Sequence, residues 1–157
     1  MWQPTSPPPP ADEPSPPPPP PGNGHGHGHG HARTLSMKQK NPGRWFGQVI
    51  KLKKDRVEEY KACHARIWPE VAKQIKDCGL EDYSIYYDDG LGLLFGTYRY
   101  IGYDYAGDME KMAANPKVRE WWKMTDSMQE SLVEGAVSSE AGEPSWWRPM
   151  EQVFFQQ

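Results

Sequence analysis

The sequence predicts an α+β domain with the element order β-α-β-β-α-β. Three observations carry that expectation. Apolar spacing switches from strand-like to helix-like and back twice between residues 44 and 157. A turn signal, Asp88-Asp89-Gly90, sits between two aromatic and β-branched runs and marks a hairpin. Two prolines, Pro69 and Pro116, stand where a helix would start, a position that tolerates the missing N–H.

Each element has its own justification. Trp45–Leu52 (WFGQVIKL) is rich in strand-forming residues. Lys53–Cys78 turns helical, with Val57, Tyr60, His64, Ile67, Val71 and Ile75 recurring at three and four residues on one face. Pro69 disfavours helical geometry at Trp68, so a break is expected there, with a second piece from Glu70 to Cys78 stopped by Gly79. Asp82–Tyr87 and Leu91–Tyr100 are the hairpin strands. Tyr103–Asn115 is a weaker helix, and Pro116 opens another expected to run to about Leu132. A loop over 133–149 and a closing strand, Met150–Phe155, complete the order. This is the split-βαβ, ferredoxin-like arrangement, an antiparallel sheet with helices on one face. The other face stays wet or finds a partner, and a homodimer packed sheet to sheet would cover it.

Residues 1–43 have a different composition. Two proline tracts, Pro7–Pro10 and Pro16–Pro21, precede a Gly/His alternation from Gly24 to His31. Polyproline favours an extended, solvated helix, and so little apolar surface does not offset ordering entropy. A disordered tail over 1–43 and one domain over 44–157 are expected. The tail could loosely chelate a transition metal, though nothing fixes the geometry, or recruit an SH3- or WW-type partner. Met37 is an alternative start.

The net charge is −3, and the tail holds three basic residues against two acidic ones, so the domain is the more acidic part. No basic stripe follows any element, which argues against nucleic acid. Nothing approaches the ~20 apolar residues of a membrane span. The N-terminus lacks the apolar run of a secretory signal, which favours the cytoplasm. Cys63 and Cys78 suggest neither a disulfide framework nor a zinc site, and reduced thiols fit the same compartment.

Four of the five histidines lie in the tail, at positions 25, 27, 29 and 31, which leaves His64 as the domain's sole imidazole. Its ordinary pKa, about 6.5, makes it the first candidate for acid–base work near neutrality. The competing reading is a helix-end histidine bonded to a carbonyl. Tyr60 lies one turn earlier on the same face, and polar groups on a core-facing side need partners or line a pocket. Helix C-terminal carbonyls near His64 would favour imidazolium and so an acid. Aromatics are abundant (7 Trp, 8 Tyr, 4 Phe), and all but Trp2 fall in the domain. Tyr83 opens a strand, and Trp121 and Trp122 sit side by side on the last helix, so one can face a pocket while the other packs. Aromatic faces suit the C–H faces of sugars, and tyrosine hydroxyls their oxygens; the alternative is core or dimer packing. Cys63 is next to His64, but successive helical residues diverge by about 100°, so it is expected to pack without facing the imidazole.

The stretch Glu59-Tyr60-Lys61-Ala62-Cys63-His64-Ala65-Arg66-Ile67-Trp68-Pro69-Glu70 resembles the EY…H…IWPE motif of L-rhamnose mutarotases. The likeness continues through Tyr83-Ser84-Ile85-Tyr86, Leu93-Leu94-Phe95, Trp121-Trp122-Lys123, Met124-Thr125-Asp126 and Glu151-Gln152-Val153-Phe154-Phe155. It implies a ferredoxin-like unit that dimerises into a dimeric α+β barrel, with His64 as proton donor. It also implies Tyr60, Tyr83, Trp121 and Trp122 as substrate-binding residues, a monosaccharide substrate, and no metal or organic cofactor. The chain departs from the family pattern in having one residue fewer after the Trp pair. Its loop before the last strand is longer and holds Trp146-Trp147, and its ending is Phe155-Gln156. These bear on substrate choice more than on reaction type. Two rivals share the architecture: a cofactor-free monooxygenase or other small oxidoreductase, and a non-catalytic sugar-binding module. Fold alone does not separate them.

Overall fold

The computed structural model describes residues 43–156; the expected tail lies outside them. The elements are β1 (Arg44–Leu52), a 3-10 turn (Lys54–Arg56), α1 (Val57–His64), α2 (Pro69–Asp77), β2 (Leu80–Asp88), β3 (Leu93–Tyr100), α3 (Tyr105–Ala114), α4 (Pro116–Asp126), β4 (Gln129–Glu130) and β5 (Arg148–Met150). The sheet runs β2-β3-β1-β4, with β5 also pairing β1, and every pairing is antiparallel. The α+β, ferredoxin-like expectation holds.

Register explains which side chains meet the helices. Phe46 opposes Tyr98, Gln48 opposes Gly96, and Ile50 opposes Leu94, so these pairs share one face. That face forms two apolar clusters. Ile50, Leu52, Tyr60, Leu94 and Met128 make one; Cys78, Leu80, Tyr98, Tyr100, Met112 and Val118 make the other. On the opposite face Val49, Phe95 and Tyr86 form a row across three strands. Tyr86 is 63% exposed.

Local chemistry sets the boundaries. Pro69 and Pro116 open α2 and α4, and the Asn115 side chain accepts from Lys117 N–H at 2.9 Å as a cap. Gly79 sits at φ +71 after α2, and a Cβ there would meet the Gly102 backbone N at 3.0 Å. The Asp88 carboxylate accepts from Leu91 N–H at 2.8 Å and closes the hairpin turn.

Three expectations need correction. The helix from Lys53 is not continuous to Trp68: α1 ends at His64, and Ile67, expected on its buried face, falls in the non-helical link and is 37% exposed. The last helix ends at Asp126 rather than about Leu132. Thr125 Oγ1 and Ser127 Oγ bond back to carbonyls of the preceding turn, and residues 129–130 leave to pair with β1 beside the Lys51–Glu130 ion pair at 2.6 Å. The closing strand is Arg148–Met150, not Met150–Phe155. Val153 and Phe154 have no ladder partner among the described residues and stand exposed, while Phe155 rests on Trp45 with ring centroids 6.0 Å apart.

Candidate active site

Between the helices and the sheet lies a cavity of about 910 Å³, within the roughly 300–1,000 Å³ typical of small-molecule sites. All five expected site residues, Tyr60, His64, Tyr83, Trp121 and Trp122, line it. They come from α1, the start of β2 and α4, which are distant in sequence.

His64 is the last residue of α1, so its ring reaches past the helix end. Its Nδ1 lies 3.0 Å from the Tyr60 carbonyl oxygen, and its ring stacks obliquely on Tyr60, centroids 4.2 Å apart. Trp121 meets it edge-on at 5.2 Å and Trp68 meets Trp121 edge-on at 5.3 Å. Because a carbonyl only accepts, the neutral imidazole carries its proton on Nδ1, and Nε2 keeps a lone pair. Among the described residues nothing bonds Nε2.

The electrostatic expectation reverses. Burial pushes the His64 imidazole below its ordinary value, and the bond to the Tyr60 carbonyl only partly offsets it. Desolvation therefore outweighs the helix-end carbonyls, and the resting imidazole at neutral pH is uncharged. Cys63 corrects a second expectation: its Sγ lies 3.3 Å from His64 Nδ1 and 3.1 Å from the Tyr60 carbonyl. The ~100° divergence of neighbours was right for the helix, but both side chains turn back to one carbonyl at its frayed end. Burial pushes the Cys63 thiol up, which keeps it protonated and a poor nucleophile.

Tyr60 is 4% exposed, and burial holds its hydroxyl far above the usual tyrosine value, with Tyr83 adding to the effect. Tyr83 leaves part of its ring accessible while its hydroxyl is enclosed; burial pushes it up to about 12, and Gln48 Nε2 lies 3.5 Å away. Trp121 is buried against His64, whereas Trp122 is half-buried and packs on the cluster of Tyr98, Met112 and Val118. Both tryptophans line the cavity, so the expected division, with one at the pocket and the other packed away from it, does not hold; they differ in burial instead.

Sequence reasoning gave no role to several lining residues. Gln129 is 3% exposed and donates through Nε2 to the Tyr60 hydroxyl at 3.3 Å. Trp146 Nε1–H donates to Gln129 Oε1 at 3.0 Å, and Ser131 Oγ holds the Trp146 carbonyl at 2.6 Å. Asp126 accepts from Ser139 N–H at 2.8 Å and from Ser139 Oγ at 2.7 Å, tying the loop to the end of α4. Gln129 carried no sequence signal because it fell inside the stretch expected to be helical. Trp146 was visible only as an aromatic in a loop.

A mostly apolar cavity, one neutral imidazole and several protonated hydroxyls suit proton transfer on a small neutral polyol. Among the described residues no cluster of three metal-binding side chains exists, and no helix is long and apolar enough to cross a membrane.

The model of the family described as L-rhamnose mutarotase matches residues 45–156. The chain belongs to the L-rhamnose mutarotase family. A member from Formosa agariphila is 33% identical over 107 residues, 68% of this chain and 91% of that one. One from Escherichia coli O8 is 35% identical over 96 residues, 60% of this chain and 89% of that one. The crystal structure of the Formosa agariphila L-rhamnose mutarotase FA22100 aligns with a TM-score of 0.54 at 26% identity, covering 73% of this chain and 99% of the other. Membership makes the chain a carbohydrate isomerase and favours that class over the oxidoreductase and binding-only readings.

Proposed function

We propose that this chain interconverts the α and β pyranose anomers of L-rhamnose, with His64 moving the proton. Ring opening breaks the C1–O5 bond, places a proton on the ring oxygen and removes one from the anomeric hydroxyl. Rotation about C1–C2 and reclosure on the other carbonyl face give the other anomer. The observation that carries this reading is the free Nε2 lone pair of a neutral imidazole in an aromatic cavity. Nε2 takes the anomeric proton and, as imidazolium, donates it to the ring oxygen, so one proton moves between two oxygens on the same carbon. Tyr60 and Tyr83 bond sugar hydroxyls, and Trp121 and Trp122 supply aromatic surface to the ring. No metal or organic cofactor enters these steps.

Saturation-transfer NMR tests the reading: exchange between the α and β signals of L-rhamnose accelerates in proportion to added protein. An unchanged exchange rate would falsify it. L-fucose and other hexoses measured in the same way rank the sugars.

The reading extends to a homodimer in the cytoplasm. The exposed Tyr86 and half-buried Phe95, adjacent on the sheet face away from the helices, support the dimer, since apolar surface there gains from a second copy. The free thiols of Cys63 and Cys78 support a reducing compartment. Light scattering gives twice the chain mass if the dimer forms.

A further inference from the structure

Gln129 and Trp146 line the cavity and are linked to Tyr60 by hydrogen bonds, and the chemistry of those bonds fixes a direction. An indole N–H only donates, so the Gln129 atom that Trp146 meets at 3.0 Å is the amide oxygen. The amide's other end is then its NH₂, which donates to the Tyr60 oxygen at 3.3 Å. With that oxygen already accepting, the Tyr60 proton points elsewhere. Among the described residues no acceptor takes it, and the ring lines the cavity.

We propose that Gln129 and Trp146 are positioning residues that fix the Tyr60 hydroxyl as a hydrogen-bond donor to the sugar. The direction is set outside the reacting centre. Ser131 holds the Trp146 backbone at 2.6 Å, Trp146 orients the buried amide, and the amide orients the hydroxyl. Tyr60 in turn touches His64 twice, through the carbonyl at Nδ1 and through the ring stack at 4.2 Å. The ring that carries the donor therefore packs against the imidazole that handles the proton. A hydroxyl free to rotate would spend part of its time pointing at the amide and would need reorganisation as negative charge builds on a sugar oxygen. The longer loop thus contributes a fixed dipole to the site as well as a wall. The inference rests on the proposed reading of Tyr60 as a sugar contact.

Gln129→Glu tests it with little change in shape. As a carboxylate, the new side chain accepts from both Trp146 and Tyr60 and takes the tyrosine proton out of the cavity. As a neutral carboxylic acid it accepts from the indole and donates to the tyrosine oxygen, which restores the original direction. Burial at this 3% exposed position lifts the new carboxyl above its ordinary value of about 4.3, so the turnover ratio of variant to parent falls as pH rises from about 4 to about 8, by about tenfold for one lost hydrogen bond. The titratable groups facing this pair are Tyr83, Cys63, Asp126 and His64, all common to both proteins, so a ratio isolates the new carboxyl. Trp146→Phe removes the lock and leaves the amide in place, so kcat drops a few-fold with KM nearly unchanged. In a Tyr60→Phe background both substitutions lose their effect, because the hydroxyl they orient is gone. A pH-independent ratio, or full effects of both changes in that background, overturns the relay alone. Full turnover in Tyr60→Phe itself overturns the sugar contact on which it rests.

Discussion

Replacing His64 with asparagine lowers enzyme-catalysed anomer exchange by ~10²–10⁴ while the protein stays folded, because one positioned acid–base group supplies gains of that size. Asparagine has similar reach and polarity but no group that gains and loses a proton near neutrality. The fold survives because His64 ends α1 and is only half-buried, so its removal leaves no large void. Saturation-transfer exchange on L-rhamnose measures the rate and far-UV circular dichroism the fold. A variant with parent-like exchange would remove the imidazole from the mechanism. The pH profile of the parent adds a signed expectation. Burial depresses the folded-state pKa below the ordinary 6.5, so the neutral, proton-accepting form dominates at neutral pH and the rate falls only on acidification through the depressed value. Stability follows the same sign. Above 6.5 both folded and unfolded imidazoles are neutral and the group contributes nothing differential. Below it the unfolded chain binds the proton first, so His64 costs stability progressively until pH passes the folded value. His64→Asn therefore flattens stability against pH in that window.

The parts of this fold that could be read from the residues are those governed by local rules. Pro69 and Pro116 marked helix starts because a ring that lacks an N–H belongs there. Asp88-Asp89-Gly90 marked the turn, and Asp88 closes it. His64 stood out by elimination, and Tyr60 by its place one turn away. What was hidden depends on tertiary competition. Gln129 and Glu130 have no strand signal of their own; they leave the helix because β1 offers an open edge and Lys51 an opposite charge. The Cys63 contact arises at a helix end, where interior spacing ceases to hold. The sense of the His64 shift required knowing how deeply the ring sits, since burial and helix-end carbonyls act in opposite directions. Trp146 was unassignable because the loop's path, set by Ser131 and by the Asp126–Ser139 bonds, is not encoded in periodicity.

Trp121 and Trp122, adjacent on α4, separate stability from sugar binding. Trp121 is 6% exposed and is gripped edge-on by His64 and Trp68. Trp121→Ala opens a void beneath both rings and costs about 3–5 kcal/mol, the range for deleting a buried tryptophan. Urea unfolding reads this as a lower midpoint at unchanged slope. Turnover falls as well, because the imidazole loses the wall that fixes its tilt. Trp121→Phe keeps an edge-on ring and recovers most of both losses. Trp122 is half-buried on the Tyr98–Met112 cluster, so Trp122→Ala costs clearly less stability. With the His64 contacts intact, its main effect is a raised KM for the sugar and a nearly unchanged kcat, the signature of lost uniform binding. The outcome that would sink this division is the reverse pattern, with Trp121→Ala tolerated in unfolding and Trp122→Ala abolishing turnover. In that case Trp122, not Trp121, would support the imidazole.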